Sequence, residues 1–316
     1  MKKILILIIT IILFSTLLAA ENENTGTSGF TFLKVNYSAR AAAMGNAYTG
    51  LSNDANAVFF NPAGLMQIKS PQASLTYMSY LDGINCGSAA YVYPVNEKTS
   101  LAVFAKGLTA TEDRTIADET GQWVGIDGTF GMSDFIFGIS AAKYVLNMLD
   151  VGFNLKFIQE TLDDNSASAV VFDAALLHQT TNKNLKVGIA LRNIGKQLSY
   201  YTDNEYEEEM PTTITVGLSF HPDYKLYTTV DIYKPLDNDI FGRIGVEYQL
   251  HPVLALRAGY KTNASDWATG GDYDIFSGIS FGTGFDLNKF NLKIDYAIVS
   301  YGDLGFVNQI SVKYLF

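Results

Sequence analysis

The segment Leu149–Phe157, LDVGFNLKF, alternates strictly between apolar residues and Asp, Gly, Asn or Lys. Successive side chains of a β-strand point to opposite faces, so this pattern predicts a strand with one apolar and one polar face. The same period recurs in Leu185–Arg192, LKVGIALR, and in Lys289–Tyr296, KFNLKIDY. Such strands separate a hydrophobic environment from water. A β-sandwich, a lipocalin-like barrel and a membrane-spanning barrel all fit this requirement.

Extending the pattern in both directions divides the chain into about fourteen strands of 8 to 11 residues. A tilted transmembrane strand needs roughly 9–11 residues, and an even strand count is typical of outer-membrane barrels. The predicted strands are residues 73–80, 86–93, 100–107, 133–143, 149–159, 169–177, 184–194, 212–221, 225–233, 241–250, 253–261, 275–283, 289–297 and 307–316.

The connections between these strands alternate in length. Those after odd-numbered strands have about 5 to 25 residues, and those after even-numbered strands have about 2 to 6. Long extracellular loops and short periplasmic turns are typical of outer-membrane barrels, whereas a sandwich gives no reason for this sorting. The sequence therefore predicts an all-β protein, a transmembrane β-barrel of about 14 antiparallel strands. The long connections hold 20 of the 32 acidic residues. This indicates solvated loops or, alternatively, divalent-cation bridges to anionic lipopolysaccharide or a repulsive rim.

The composition narrows the function classes. Hydrophobic residues make up 48% and charged residues 17%, yet no apolar run after residue 18 approaches the roughly 20 residues of a spanning helix. The net charge of −10 argues against a nucleic-acid partner, because phosphates would be repelled. With one cysteine, Cys86, and three dispersed histidines, we predict neither a disulfide framework nor a metal site, and no cofactor.

Both ends of the chain carry signs of export to an outer membrane. Lys2 and Lys3, the apolar run Ile4–Leu18 and the pair Ala19-Ala20 predict a signal peptide cleaved near Ala20. The chain ends ISVKYLF, in which apolar residues alternate up to Tyr314 and Phe316. A last strand with a terminal aromatic residue resembles the signal read by the machinery that inserts outer-membrane barrels.

Residues 21–72 lack the two-residue period and are rich in small side chains. Ser52 is the predicted N-cap of a short helix over Asn53–Phe60, and Asn61-Pro62 ends it because the residue before Pro avoids the α region. Gly64 then suits a turn toward the first strand. About fifty such residues ahead of a barrel predict a plug in its lumen. The expected organisation is a signal peptide (1–20), a plug (21–72) and a barrel (73–316).

Within the plug, the strings ARAAAMGNA at Ala39–Ala47 and NPAGL at Asn61–Leu65 resemble the N-terminal signature of the PorV/PorQ family. That family is related to the FadL long-chain fatty-acid transporters, whose plan of fourteen strands with an N-terminal hatch matches the pattern above. Asn46 stands where the family often has a second Gly, and Asn tolerates left-handed conformations. The signature residues are Arg40, Met44, Gly45, Asp54, Asn61, Pro62 and Gly64.

Several charged residues are candidate lumen groups. Arg40 is either an anchor for a carboxylate cargo or, as we prefer, one side of an internal salt bridge with Asp150, Asp231 or Asp295. Asn61 either gates the lumen or caps a turn. The remaining lumen charges are interpreted as wall–wall ion pairs rather than ligands, and they are Arg243, Glu247, Arg257, Lys261 and Lys293.

The chain offers no complete catalytic constellation. Gly278–Gly282, GISFG, matches the hydrolase G-x-S-x-G pattern but falls within a predicted strand rather than at a strand–turn–helix elbow. His178, His221 and His251 fall at predicted periplasmic turns and so cannot reach a serine at the other end. We therefore expect a protein that is not an enzyme.

Three functions remain open. The preferred one is uptake or binding of hydrophobic small molecules such as long-chain fatty acids, which the resemblance implies and which strands apolar on both faces support. In strand 6, for example, Val171, Ala175 and Leu177 share a face with Asp173. The alternative is a PorV-like component of type IX secretion, which would have secretion-system proteins as partners. An open general porin is the third, and the predicted plug argues against it.

Overall fold

The alternating segments form a closed antiparallel barrel in the computed structural model, which describes residues 24–146 and 148–316. The predicted signal peptide and its cleavage near Ala20 lie outside these residues. The described residues contain fourteen strands, and the barrel closes where the first strand pairs with the last. The strands are β1 Gln72–Ser79, β2 Asn85–Asn96, β3 Thr99–Ala117, β4 Trp123–Leu146, β5 Leu149–Leu162, β6 Asn165–Gln179, β7 Leu185–Ser199, β8 Thr213–Asp223, β9 Leu226–Pro235, β10 Phe241–His251, β11 Leu254–Lys261, β12 Ile279–Leu287, β13 Leu292–Ser300 and β14 Phe306–Leu315.

The apolar faces of the strands point outward. In β5, Phe153 and Leu155 are 56% and 51% exposed, whereas the intervening Asn154 is only 2% exposed. A sandwich or a lipocalin-like barrel would bury the phenylalanine and expose the asparagine. Because the polar face is inside and the apolar face outside, the fold is a transmembrane β-barrel, and this part of the sequence prediction is confirmed.

The predicted strand boundaries need correction in several places. β6 begins at Asn165 rather than residue 169, so the connection after β5 is a two-residue turn at 163–164, and β7 continues to Ser199 rather than residue 194. Residues 108–132 were expected to form a long loop, but most of them extend β3 and β4 into a long hairpin. The two strands stay paired as far as Ala117 and Trp123. The predicted strands at 275–283 and 289–297 start late, at Ile279 and Leu292, because short 3-10 helices precede them. In the connections, 3-10 helices cover Leu81–Gly83, Thr262–Trp267, Asp272–Phe276, Asn288–Phe290 and Gly302–Leu304.

The two ends of the barrel differ. The longest connections, residues 200–212 and 262–278, follow odd-numbered strands, and tight turns such as residues 97–98 and 224–225 follow even-numbered ones. We call the end with long connections the outer end and the other the inner end, as in outer-membrane barrels. Within the described residues, no helix is both long and apolar enough to cross a membrane.

Residues 24–71 precede β1, and we call them the lumenal segment. Its first residues, 24–27, are exposed beside the outer connections that carry Glu209 and Asp237, and most of the others are buried inside the barrel. The segment forms one α-helix, α1 (Ala39–Ala43), and three 3-10 helices, Thr31–Lys34, Ala55–Phe59 and Pro62–Gln67. Met44 and Tyr48 are fully buried, as are most residues around them. The main hydrophobic core of the described chain therefore lies between this segment and the inner face of the wall.

The predicted helix over Asn53–Phe60 with Ser52 as its N-cap is wrong in bounds and in cap. The Ser52 hydroxyl instead donates to the carbonyl of Tyr48, 2.8 Å away, and closes the preceding turn. The next acceptor along the chain is Asp54, whose carboxylate accepts from the amide of Asn56 at 3.1 Å and caps the 3-10 helix.

Candidate functional site

The lumenal segment docks onto the wall through glycines. A Cβ on Gly245 of β10 would lie 2.6 Å from the carbonyl oxygen of Met44, and one on Gly259 of β11 would overlap the backbone of Gly45. Gly45 itself has φ +63° and lies against the backbone of Tyr260. The small residues of the signature therefore allow backbone-to-backbone contact. Three more wall glycines, Gly152, Gly188 and Gly217, lie against backbone atoms of the segment, and Gly282 lies against Cβ of Ala43.

Other signature residues position the turns of the segment. Asn46 adopts φ 60°, the left-handed conformation that the sequence allows there. Asn61 accepts from the amide of Ala63 at 3.0 Å and caps the helix that begins at Pro62. Its amide nitrogen also donates to the carbonyl of Leu176 in β6, 3.0 Å away. Asn61 is thus a cap that also ties the segment to the wall.

Six charged side chains near the inner end form a closed cycle in which each cation contacts two carboxylates. The contacts measure between 2.5 and 3.4 Å, and the side chains are 4–11% exposed. We call this arrangement the charge cycle. In order around the cycle, its members are Arg40, Glu247, Arg257, Asp295, Lys313 and Asp54.

Arg40 of the lumenal segment holds Glu247 of the wall with two parallel hydrogen bonds, of 2.8 and 2.7 Å. The expected salt bridge is therefore present, but its partners are Glu247 and Asp54. Of the three acids named from the sequence, Asp295 belongs to the cycle without touching Arg40. The wall register places Glu247 opposite Arg257, and a single sequence does not reveal that pairing.

Asp54 links the segment to β14 through Lys313, at 2.7 Å. Burial would by itself raise the pKa of the Asp54 carboxyl, but the Lys313 ammonium and the Arg40 guanidinium outweigh it and hold that pKa well below its usual range. Asp54 therefore stays ionised at neutral pH. The cycle carries three positive and three negative charges and leaves none of them unpaired.

Below the charge cycle, a cavity of about 290 Å³ opens toward the inner end. Lys293, predicted as a lumen charge, pairs there with Asp286 at 2.6 Å and is partly exposed. Asp150 lies elsewhere at the inner end, in a cavity that it lines together with Lys69 and Lys186. Both residues thus lie at the inner end of the barrel.

A second cavity, of about 310 Å³, lies toward the outer end between the wall and residues 33–36 and 46 of the lumenal segment, and we call it the outer cavity. Arg243 and Lys261, both predicted lumen charges, face into it together with Arg192. Contrary to the expected wall–wall pairs, none of the three has an ion pair among the described residues. Aromatic side chains surround them: Tyr80, Tyr233, Phe241, Trp267 and Tyr301.

The apolar patch expected to hold an acyl chain is already filled. Val171 and Leu177 do point inward beside Asp173, and all three are buried. However, Leu177 packs with Ala63 of the lumenal segment, and Val171 belongs to the core that the segment completes. The free volume on the outer side lies instead around the cations of the outer cavity.

The terminal aromatic residues and the hydrolase-like motif have simple environments. Tyr314 and Phe316 are exposed on the face of the wall that points away from the lumen, with ring centroids 4.8 Å apart. Ser280 of the motif is buried, and its hydroxyl accepts from the amide of Gly45 at 3.0 Å. Gly278 has φ +80° and precedes β12, so the motif does not lie wholly within a strand. In the described chain, no group of three metal-ligating side chains occurs.

The fold is shared with solved outer-membrane barrels of low sequence identity. The toluene transporter TodX of Pseudomonas putida is 14% identical, with a TM-score of 0.61 over 88% of this chain and 96% of that one. The monoaromatic hydrocarbon channel CymD is 12% identical, with a TM-score of 0.64 over 89% and 98%. A Pseudomonas aeruginosa FadL homologue is 12% identical, with a TM-score of 0.56 over 95% and 99%. No protein-family model and no curated protein matches the chain.

The sequence pointed to individual lumen charges but not to their grouping. Arg192 and Lys313 lie at inward-facing positions of their strands, but nothing in the sequence distinguishes them from other polar residues at such positions. Trp267 lies in a connection, where no two-residue alternation indicates which side chains face the lumen. The charge cycle and the cations of the outer cavity can be recognised as groups only when the register of neighbouring strands is known.

Proposed function

We propose that this protein binds hydrophobic small molecules, a class that includes fatty acids and monoaromatic compounds, and takes them up across the outer membrane. The observation that carries the proposal is the outer cavity, an aromatic-lined space at the outer end of a barrel whose lumen is filled below it. A site of this size and lining is typical of small-molecule binding. The lumenal segment would act as the plug that must move or deform before cargo passes.

Two further features support this proposal. The shared fold with a toluene transporter and a hydrocarbon channel is compatible with a hydrophobic cargo. The lumenal segment is held by glycine contacts and by a charge cycle, both of which lie at discrete points of the wall. A plug with discrete attachments can be displaced without unfolding the strands.

The proposal is tested by the molecules that accompany the protein. We expect mass spectrometry of protein extracted from native membranes into nanodiscs to find hydrophobic molecules at near-stoichiometric amounts. Val299→Trp, which fills the outer cavity, should deplete them. Val103→Trp is the matched control, because Val103 faces the lipid and is 45% exposed. A wild-type barrel without any bound hydrophobic molecule would contradict the proposal.

The alternative function, a PorV-like role in type IX secretion, has one structural feature in its favour. The strands β3 and β4 have 19 and 24 residues, about twice the roughly 9–11 that cross a membrane, so their hairpin projects beyond the outer end. Its tip exposes Trp123, Val124 and Ile126. Apolar side chains clustered on a water-facing tip are typical of protein contact surfaces.

The resemblance of the N-terminal strings to the PorV/PorQ signature supports the same alternative. Under this proposal, exported proteins should co-purify with the wild-type barrel, and the double substitution Trp123→Ser and Ile126→Ser should abolish that association without changing bound small molecules. A source genome without the other components of the secretion system would remove this alternative.

A further inference from the structure

Among the described residues, the three cations of the outer cavity have no carboxylate within ion-pair distance. Arg192 and Arg243 are each 8% exposed and Lys261 is 5% exposed. In Arg243, Nε and Nη1 are buried without a hydrogen-bond partner, and the same holds for Nε of Arg192. Burial of an unpaired charge is costly, and at the inner end every cation of the charge cycle has two carboxylates.

Two acids near the outer cavity, Asp231 and Asp266, form no ion pair with its cations among the described residues. Asp231 is the cross-strand neighbour of Arg243 and attracts it electrostatically, but the two side chains form no ion-pair contact. Its Oδ2 accepts from the backbone amides of Tyr48 and Thr49, at 3.0 and 2.8 Å, and its Oδ1 has no hydrogen-bond partner among the described residues. Asp266 lies at the rim, is exposed, and accepts from the side-chain amide of Asn263 at 2.9 Å. The geometry therefore leaves room for an external anion.

Aromatic rings lie beside all three cations, and the Arg192 guanidinium is 5.6 Å from the centre of the Tyr233 ring. Tyr233 and Phe241 stack with ring planes 5° apart, and the Arg243 guanidinium lies 3.8 Å from the centre of the Tyr233 ring. A second group, built on Trp267 and Tyr301, lies around the ammonium of Lys261, which is 5.4 and 5.5 Å from the two ring centres. A flat apolar body fits walls of this kind, and a charged group beside it meets the cations.

The size of the space limits the ligand. The cavity of about 310 Å³ is near the lower end of the range for small-molecule sites, roughly 300–1,000 Å³. The next void toward the lumenal segment, beside Phe59 and Phe104, is only about 20 Å³. A long acyl chain therefore has no space to extend beneath the cavity, whereas a neutral hydrocarbon would leave the three cations unpaired.

We propose that the outer cavity selects compact aromatic monoanions, of which an aromatic carboxylate is the simplest example. This inference rests on the proposed function, because it names the substrate class of the same site. The carboxylate would bind the free donors of Arg243 and Arg192 and the ammonium of Lys261. The ring would lie against the aromatic side chains.

The test compares four probes on the full-length protein in non-ionic detergent: benzoate, its neutral analogue benzamide, palmitate and acetate. Binding is followed by Trp267 fluorescence in a Trp123→Phe background, which leaves Trp267 as the remaining tryptophan. Benzoate should bind at least about tenfold more tightly than benzamide, because hydrogen bonds to charged groups are the stronger ones. Acetate should bind more weakly than benzoate because it lacks the ring.

The variants test the cations directly. Arg243→Gln should weaken benzoate binding by about tenfold or more and leave benzamide binding almost unchanged. Lys196→Gln is the matched control, because Lys196 is 70% exposed in its side chain and lies on the outer part of β7. If Arg243→Gln fails to fold, as judged by heat-modifiable gel mobility, Lys261→Met replaces it with the same expectation.

The outcomes separate this inference from the function on which it rests. Benzamide or palmitate binding as tightly as benzoate would overturn the inference while supporting uptake of hydrophobic molecules. Acetate binding as tightly as benzoate would overturn the aromatic part. If no probe with an apolar body binds, the inference and the proposed function both fail.

Discussion

Arg40 brings a positive charge from the lumenal segment to a carboxylate of the wall, and its guanidinium is only 11% exposed. With Arg40 removed, the charge cycle keeps three carboxylates and only two cations. We therefore expect Arg40→Met to lower the free energy of unfolding by about 3–5 kcal/mol, the usual cost of breaking a buried ion pair by removing one partner. The measurement is a urea titration of the folded barrel in lipid vesicles.

The control for this variant is an ion pair of the same type on the surface. Arg114 contacts Asp163 at 2.5 Å, but the two side chains are 49% and 40% exposed. Because water solvates both charges, Arg114→Met should change the free energy of unfolding by about 0–1 kcal/mol. Equal effects of the two substitutions would show that the charge cycle does not hold the lumenal segment.

For Arg40, the sequence predicted that a salt bridge forms but not which acidic residues take part in it. A buried arginine in a segment of small residues needs an acid, and Arg40 does have a salt bridge. Which acid Arg40 reaches depends on how far along the barrel axis the lumenal segment places it. That distance is set by the glycine contacts with six different strands, and no local pattern encodes it.

Among the elements, the contact between β10 and the lumenal segment gives a sharp prediction. The added methyl group of Gly245→Ala would meet the carbonyl oxygen of Met44 at 2.6 Å, so the segment or the strand must shift. Overpacking of this kind costs about 1–3 kcal/mol. We expect faster proteolysis of residues 24–71 in detergent, measured by the appearance of the truncated barrel on a gel.

Gly242 lies on the same strand and provides the matched control. A Cβ at Gly242 would have its nearest neighbour, Thr262 Cγ2, at 3.6 Å, which is an ordinary contact. Gly242→Ala should therefore leave the proteolysis rate unchanged. If both substitutions accelerate cleavage equally, the cause is a weakened strand rather than lost docking of the segment.

The strands themselves were the most predictable elements. A two-residue period predicts which face is apolar, and in β5 the residues Gly152–Phe157 alternate between buried and exposed as predicted. Beyond them, Ile158 is buried and Gln159 is exposed, so the apolar side chain faces inward there. The ends were less predictable, because β3 and β4 continue as a hairpin in water, where no membrane imposes the alternation. The short 3-10 helices of the lumenal segment depend on contacts with the wall, and this explains the wrong N-cap at Ser52.

For the molecule as a whole, the wall can be treated separately from the segment that fills it. Without Arg40 and Asp54, the wall keeps Glu247, Arg257, Asp295 and Lys313, which form a chain of alternating charges on β10, β11, β13 and β14. These four side chains stay paired, and the hydrogen-bonded ring of fourteen strands does not include the segment. The barrel should therefore fold without it.

The corresponding experiment deletes residues 22–70 and keeps the predicted signal peptide. We expect the truncated protein to insert, because the closed ring satisfies its backbone hydrogen bonds in the membrane. Its conductance in planar bilayers should rise sharply over that of the full-length protein reconstituted in parallel, since the space of the main core would fill with water. Stability should fall, because apolar inward residues such as Phe104 and Ile136 would be wetted. A truncated barrel that inserts without new conductance would mean that residues 24–71 do not block the passage, and contacts at the outer hairpin would then better explain the function.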